Sequence, residues 1–355
     1  MSDYWSIRYN AARVPPAPLH LKAPLERVWK YKPKGSLVGF VRAGQGAVFA
    51  TGGKGPARLD PASGKPVWTV AFEADLLIPR SGDILAWSMQ GTQAIDMSSG
   101  EVRWKRDVSL GMNTSCLVGE LLVGVMPDAL QVVNLATLEN LWRVERLILN
   151  APVSDGQVAI IGEDSVCCYD LHGGAVRWQH PGSDFGGKCW QMGFIWRDLF
   201  VVKIGEPLLL TAFDVKTGKT VWRTDFPVQW CEPYGERAYG IEAKGAYKIL
   251  DLATGKIVFE KVVEKVPPPE SPRKGLVLER DPDAWPWRDT LAAVTETHTF
   301  LVKRTGQIIA LKRDSGELEQ VVEIEGMPAS LPIIYENRLL LTDFNASVYC
   351  FEGAP

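Results

Sequence analysis

One phrase recurs along this chain: an apolar residue, Asp, three residues, Gly, three residues, Trp. It reads Leu59-Asp60…Gly64…Trp68, Ile95-Asp96…Gly100…Trp104, Tyr169-Asp170…Gly174…Trp178 and Phe213-Asp214…Gly218…Trp222. Weaker copies are Val133-Asn134…Leu138…Trp142, Leu250-Asp251…Gly255…Phe259 and Leu311-Lys312…Gly316…Gln320. Most copies follow one another at 36–44 residues. A fixed phrase at such a period marks supersecondary units that cannot bury their apolar faces alone and must stack on one another.

Residues 151–178 show what one unit contains. Short apolar runs at Ala151–Val153, Val158–Ile161, Val166–Tyr169 and Ala175–Trp178 are separated by Gly- and Asp-containing turns. Four short strands joined by such turns predict an antiparallel meander. Within the phrase, Asp opens a turn by accepting hydrogen bonds from backbone N–H groups just ahead. Gly supplies the left-handed conformation that closes the hairpin. Trp, on the outer strand, offers a large flat surface to the neighbouring sheet. Radial stacking of such sheets buries both faces and leaves only short edges.

The residues at the Trp position are Trp29, Trp68, Trp104, Trp142, Trp178, Trp222, Phe259 and Gln320. They predict an all-β, eight-bladed β-propeller of four-stranded antiparallel blades; seven blades is the alternative if the degenerate seventh copy is not a blade. The last third-strand run, Cys350-Phe351-Glu352, has no fourth strand after it. Leu25-Glu26-Arg27-Val28-Trp29 aligns with Gly64-Lys65-Pro66-Val67-Trp68. The outer strand of the last blade is therefore expected from residues 24–32, paired with C-terminal strands from residues 328–353. This gives an N-terminal extension over 1–23, with Tyr4, Trp5, Ile7 and Tyr9, and a single propeller domain over 24–355.

The copies LDPASGKPVW, FDVKTGKTVW and ILDLATGKIVF resemble the repeat of the pyrroloquinoline-quinone-like (PQQ-like) β-propeller family. That family includes quinoprotein alcohol dehydrogenases and the propeller lipoprotein of the outer-membrane barrel-assembly machinery. The resemblance covers the chain from about Pro24 to Gly353 and lies closer to the lipoprotein than to the dehydrogenases. It implies the fold and says little about activity, because one fold hosts many functions.

Hydrophobic content of 46% and charged content of 23% are those of a globular protein. A net charge of −3 argues against broad binding to nucleic acid or anionic membrane, which requires a basic excess. No run reaches the roughly 18 apolar residues of a membrane-spanning helix. The first residues, MSDYWSIRYNAARVPPAP, lack the basic and apolar regions of a secretory signal. Six cysteines are too few for a dense disulfide framework in a chain of this size. These features together lead to the expectation of a cytoplasmic protein. A closed propeller is compatible with a monomer, and the oligomeric state is not set by the sequence.

Catalytic constellations are weak, and no catalytic, cofactor-binding or metal-binding residue is assigned. The resemblance implies that quinoprotein dehydrogenases bind a quinone and calcium at the axis, often with a vicinal cysteine pair against the quinone. Cys167-Cys168 is such a pair, but it lies in a third strand just before a repeat turn. Successive strand residues point to opposite faces, so the two thiols are expected to pack toward opposite neighbours. His20, His172, His180 and His298 show no metal-ligand spacing. Gly44-Gln45-Gly46 and Gly52-Gly53-Lys54-Gly55 complete neither a Walker nor a dinucleotide pattern, and no Gly-x-Ser-x-Gly elbow occurs.

The breaks in the repeat indicate where a partner binds. Spacing grows to 44 residues between Trp178 and Trp222 and to 61 between Phe259 and Gln320. Both insertions fall on connections from an outer strand to the next inner strand, which emerge on one face of a propeller. The second, 266–289, is Pro-rich and charged, as expected of an extended surface loop. Aromatic and Arg residues are enriched at binding hot spots. Partner-binding candidates are therefore Phe185, Trp190, Trp230, Arg273, Arg280, Trp285, Trp287 and Arg288. The competing reading is that Trp190, Trp230 and Trp287 fill space within or between blades. Trp196-Arg197-Asp198 and Trp287-Arg288-Asp289 precede comparable second strands, which favours packing for Trp196 and Trp287. The function expected is a non-catalytic, protein-binding propeller: a scaffold, an adaptor or a toxin-neutralising immunity protein. An axial quinone or small-molecule site, with or without oxidoreductase activity, is one alternative. An envelope assembly factor, if a leader has been removed, is another.

Overall fold

A computed structural model describes residues 19–33, 40–52, 55–74, 76–80, 82–88, 91–107, 110, 115–126, 128–162, 164–187, 189–226, 228–242, 244–263, 266 and 291–354. These residues form an eight-bladed β-propeller of four-stranded antiparallel sheets. Blade 1 comprises Val41–Gly44, Ala47–Ala50, Ala57–Leu59 and Pro66–Thr69. Blade 2 comprises Leu76–Arg80, Asp83–Ser88, Gly91–Asp96 and Val102–Arg106, and blade 3 Cys116–Val118, Leu121–Val125, Ala129–Asn134 and Glu139–Glu145. Blade 4 has a first strand split into Ile148–Asn150 and Val153–Ser154, followed by Gln157–Gly162, Ser165–Asp170 and Val176–Pro181. Blade 5 comprises Cys189–Trp196, Leu199–Ile204, Leu209–Asp214 and Thr220–Thr224. Blade 6 comprises Val228–Tyr234, Arg237–Glu242, Ala246–Asp251 and Ile257–Val262, and blade 7 Leu291–Val294, His298–Val302, Gln307–Lys312 and Leu318–Glu323.

Blade 8 takes Ile333–Tyr335, Arg338–Thr342 and Val348–Glu352 from the carboxyl end and Glu26–Tyr31 from the amino end. Glu26 pairs with Glu352, Trp29 with Cys350 and Tyr31 with Val348. This is the closure expected from residues 24–32. The seven-bladed alternative is excluded, because blade 7 is fully formed although its phrase has lost Asp and Trp. The chain divides into two compact units of four blades each. Glu73–Pro227 carries blades 2–5, and Ala17–Phe72 with Val228–Pro355 carries blades 1, 6, 7 and 8.

Second and third strands are almost wholly buried, whereas outer strands are exposed along most of their length. The repeat phrase is what joins one blade to the next. Its Asp (Asn in blade 3) accepts from backbone N–H groups ahead of it, as in Ser63 N to Asp60 Oδ1 at 2.8 Å, Gly173 N to Asp170 Oδ1 at 2.7 Å and Thr217 N to Asp214 Oδ1 at 2.7 Å. The Gly then donates to the Asp carbonyl, for example Gly218 N to Asp214 O at 2.8 Å, with φ of 72°.

The turn so formed receives the Trp of the preceding blade. Trp29 Nε1 donates to Pro61 O at 2.8 Å, Trp142 Nε1 to Leu171 O at 2.7 Å and Trp178 Nε1 to Val215 O at 2.7 Å. Each acceptor is the residue immediately after the turn's Asp. Each indole also lies on the turn's Gly. A Cβ added at Gly64, Gly174 or Gly218 would come within 2.5–2.7 Å of ring atoms of Trp29, Trp142 or Trp178 respectively. Gly is thus required twice, by its φ and by the ring above it.

In blade 6 the Trp position holds Phe259, which has no N–H. There Tyr247, from the third strand of the same blade, takes over. Its hydroxyl donates to Arg313 O at 2.8 Å, again the residue after the Asp position, and its ring lies 2.9 Å from a Cβ built at Gly316. In blade 3 the Gly position is Leu138, held at φ 60° and packed in one cluster with Trp104.

The closing strand carries a charge contact of its own. Arg27 Nη1 and Lys30 Nζ lie 2.7 and 3.0 Å from the Glu325 carboxylate. The hydrogen bond from Arg27, with help from Lys30, lowers the Glu325 pKa from 4.5 to about 2. A carboxylate depressed in the fold contributes stability above its unfolded pKa and loses it as pH falls through the folded value. Glu325→Gln should therefore destabilise the protein at pH 7 by under about 1 kcal/mol, as befits a half-exposed pair. The gap between variant and wild type in urea unfolding should close as pH falls from about 4.5 to about 2.

A second prediction separates the two demands on Gly. Gly156 has φ 73° with nothing within 4 Å of its Cβ position, whereas Gly218 has φ 72° with Trp178 on top of it. Gly156→Ala should cost about 1–2 kcal/mol for the left-handed backbone alone. Gly218→Ala should cost a further ~1–3 kcal/mol for displacing the indole. Equal shifts of the urea midpoint would show that the ring does not depend on the missing Cβ.

Candidate functional site

The first insertion, between Trp178 and Trp222, places Phe185 at the end of a short 3-10 helix, Gly182–Phe185. The helix stops at Gly186 (φ 91°), whose N–H bonds to Ser183 O, while Phe185 O accepts from Glu206 N at 2.8 Å. The half-buried Phe185 ring meets Phe213 edge-on at 5.6 Å and His180 at 6.0 Å, with the Arg223 guanidinium 5.4 Å from its centre. His180 in turn stacks on Phe213 at 5.3 Å and meets the Gly218 carbonyl through Nε2 at 2.7 Å. The insertion thus caps the junction of blades 4 and 5 with an aromatic cluster, leaving part of Phe185 and Arg223 at the surface.

Trp190 and Trp230 belong to the inner strands Cys189–Trp196 and Val228–Tyr234; their side chains lie outside the described residues. Arg273, Arg280, Trp285, Trp287 and Arg288, with the insertion at 266–289 beyond Val266, also lie outside them. Trp196 is buried at 7% exposure, with Arg197 stacked 4.5 Å over its ring.

Cys167 and Cys168 face opposite neighbours, as expected from strand alternation. Cys167 packs with Cys116, Val158 and Ile160, whereas Cys168 packs with Trp178, Phe200 and Phe213. Arg146 Nη1 reaches Cys167 Sγ at 3.1 Å, and Cys168 Sγ meets Gln157 Oε1 at 3.3 Å. Burial raises both thiols, Cys168 to about 12. A thiol held protonated in this way is neither a nucleophile nor a ready redox partner.

The histidines are absorbed locally. His172 sits in the exposed blade 4 turn. His298, buried in blade 7, bonds Glu319 Oε2 through Nε2 and Thr297 Oγ1 through Nδ1, both at 2.8 Å. The charges lining a surface cleft beside it include Arg313, paired with Asp314 at 2.9 Å, and Lys312, paired with the neighbouring Glu317 at 2.9 Å. Among the described residues no three His, Cys, Asp or Glu side chains are grouped to hold a metal ion.

One segment escaped the sequence reading. Leu19, Leu21, Ala23 and Leu25 are buried, while His20, Lys22 and Pro24 between them are exposed. The alternation in LHLKAPL is a strand-like signal that straddles the boundary expected between the extension, 1–23, and the closing strand, 24–32.

Comparison with known proteins follows the same line. A family model described as "Outer membrane protein assembly factor BamB" matches residues 162–278. The outer membrane protein assembly factor BamB of Burkholderia pseudomallei (strain K96243) is 26% identical over 228 residues, 56% of this chain. The chain spans 58% of that relative's length. Among solved structures, BamB from Moraxella catarrhalis superposes with a TM-score of 0.69 at 12% identity, covering 93% of this chain and 100% of that one. The computationally designed Ika8 protein gives a TM-score of 0.67 at 11% identity, covering 91% of this chain and 100% of that one. At such identities these two structures establish the fold alone.

The cytoplasmic location expected from composition and from the first residues is overturned by these relatives. They are outer membrane assembly factors and point to the cell envelope. The expectation rested on the first residues, on the lack of a long apolar run and on sparse cysteines, none of which reports the compartment in which a propeller of this kind is found. An immunity role draws no support from them.

The cysteine pair separates the two sides of the family experimentally. Cys167 and Cys168 should resist a thiol reagent at pH 8 in the native protein and react only at the rate of unfolding, measured by mass spectrometry of labelled peptides. Fast native labelling, or a disulfide between them, would contradict the packing described. In its repeat, its fold and its relatives alike, the chain is similar to the PQQ-like β-propeller family, on the side of the outer membrane assembly factors rather than the quinoprotein dehydrogenases.

Proposed function

We propose that this protein is a non-catalytic, protein-binding propeller that serves as a scaffold in outer membrane protein assembly. The observation that carries the reading is the match of residues 162–278 to the assembly-factor family model. The 26% identity over 228 residues to the Burkholderia pseudomallei assembly factor supports it. The chemistry of the described residues is consistent with it: the cysteine pair, the buried histidine and most repeat Asp residues are each occupied by packing or turn formation. Rigid blades presenting variable loops suit a scaffold, because loops on a stable frame carry recognition. The binding residues proposed are those of the two insertions, each taken by itself: Phe185 and Arg223 at the edge of the first, and Arg273, Arg280, Trp285, Trp287 and Arg288 in the second.

The test is in-cell cross-linking of the tagged full-length chain, followed by fractionation and identification of captured proteins. The expected result is recovery from the envelope with outer membrane assembly proteins, and loss of that capture on deleting 266–289 while circular dichroism is unchanged. Equal capture by the deletion variant would remove the second insertion from the proposal. Capture of no outer membrane assembly component would overturn the scaffold reading.

A further inference from the structure

Blade 8 differs from the others at one point of covalent chemistry. In blades 1, 4 and 5 a continuous turn joins third and outer strands, and the Gly N–H of that turn bonds to the Asp carbonyl, as in Gly64 N to Asp60 O at 2.8 Å. In blade 8 the third strand ends at Glu352 and the outer strand begins at Glu26, so no such turn exists. By register, Leu25 occupies the position that Gly64 holds in blade 1. Its backbone N–H is left without the Asp carbonyl that the turn provides, and it carries a side chain where an indole would have to lie.

The Trp position of the preceding blade is here Gln320. Its Oε1 accepts from Leu25 N at 2.6 Å and its Nε2 donates to Leu25 O at 3.1 Å. An indole can only donate, whereas a carboxamide donates and accepts. The residue that reads as decay of the repeat is therefore fitted to the chain break. Five residues farther on, Glu325 holds Arg27 and Lys30 of the same strand.

Ahead of Leu25, the segment 19–25 runs as an extended strap past the first hairpin turns of blades 6 and 7 and the end of the blade 8 third strand. Leu19 N donates to Tyr234 Oη of blade 6 at 3.3 Å, and Leu19 O accepts from Glu296 N of blade 7 at 3.2 Å. Leu21 O accepts from the Thr295 hydroxyl at 3.0 Å, and His20 Nδ1 lies 2.9 Å from Glu296 Oε2. Lys22 O accepts from Ala354 N at 3.3 Å, beside Gly353, where a Cβ would approach that carbonyl to 2.5 Å. Leu21 is fully buried.

We propose that the strap and the closing strand form one conformational latch, keyed by Gln320, which sets the register of residues 26–31 in blade 8 and opens as a unit before the rest of the molecule. The strap places Leu25, Gln320 fixes it, and the strand then pairs from Glu26 to Tyr31. Local openings of this kind appear as correlated loss of amide protection in a contiguous segment.

Hydrogen–deuterium exchange on the full-length protein tests this with three variants. Gln320→Ala removes both bonds. It should speed exchange of the amides in 19–31 and in Val348–Glu352 together, by about ten- to a hundredfold for two lost hydrogen bonds, and leave blades 2–5 at wild-type rates. Gln320→Glu keeps the acceptor and loses the donor, and should give a smaller, severalfold rise in the same segments. Leu21→Asp, distant from Gln320 in sequence, should reproduce the Gln320→Ala pattern through the strap alone. Unchanged exchange of 26–31 in Gln320→Ala would overturn the proposal. So would a response of the strap without the strand in Leu21→Asp, or a uniform rise across all blades in both Gln320 variants.

Discussion

One contact recurs at four of the joints described within the units: a side-chain donor from one blade, bonded to the carbonyl just after the turn-opening residue of the next. Everything else in the repeat serves it. Asp shapes the turn so that the carbonyl points outward, Gly withholds a Cβ so that the ring can lie flat, and the outer strand holds the Trp at the right height. A net hydrogen bond of this type contributes only about 1 kcal/mol. Its larger role is geometric, since it fixes the distance between sheets whose apolar faces would otherwise slide. The clusters behind it, such as Val166, Cys168 and Ile195 with Phe200 and Phe213, supply the bulk of the burial.

The substitutions show that the requirement is for a side-chain partner at the joint rather than for Trp at one position. Blade 6 keeps an aromatic at the outer position but takes its donor from Tyr247, one strand inward. Blade 7 uses an amide, because the next turn is a junction of two chain ends and presents both a donor and an acceptor. Burial pushes the Tyr247 hydroxyl far above its ordinary range, so it is held protonated as the donor this position needs. A repeat can therefore lose its signature and keep its function within the architecture.

Blade number, strand order and the N-to-C closure were legible in the sequence because they rest on short-range chemistry: turn residues at fixed offsets and period-two alternation. The opposed packing of Cys167 and Cys168 followed from the same period. What was not legible depends on contacts far apart in sequence. Nothing near Gln320 announces a partner at Leu25, and nothing near Tyr247 announces Arg313. The strap carried a visible signal in LHLKAPL, but an alternating run of seven residues ahead of the first complete blade reads equally well as a loose tail. For the candidate site, Phe185 was found by counting residues between Trp178 and Trp222; its packing against His180 and Phe213 needed coordinates, since it joins an insertion to two different blades.

The outer strand of blade 8 also sets an order of events during synthesis. Glu26 leaves the ribosome some 326 residues ahead of its partner Glu352. At about 5–20 residues per second the closing strand waits roughly 15–65 seconds with its edge unpaired. Through that interval it presents Leu19, Leu21, Leu25 and Trp29, all destined for burial, next to a strand edge able to pair with other chains. Of the four strands of blade 8, the one made first is the last to be paired, so it is the strand of that blade most in need of protection before closure.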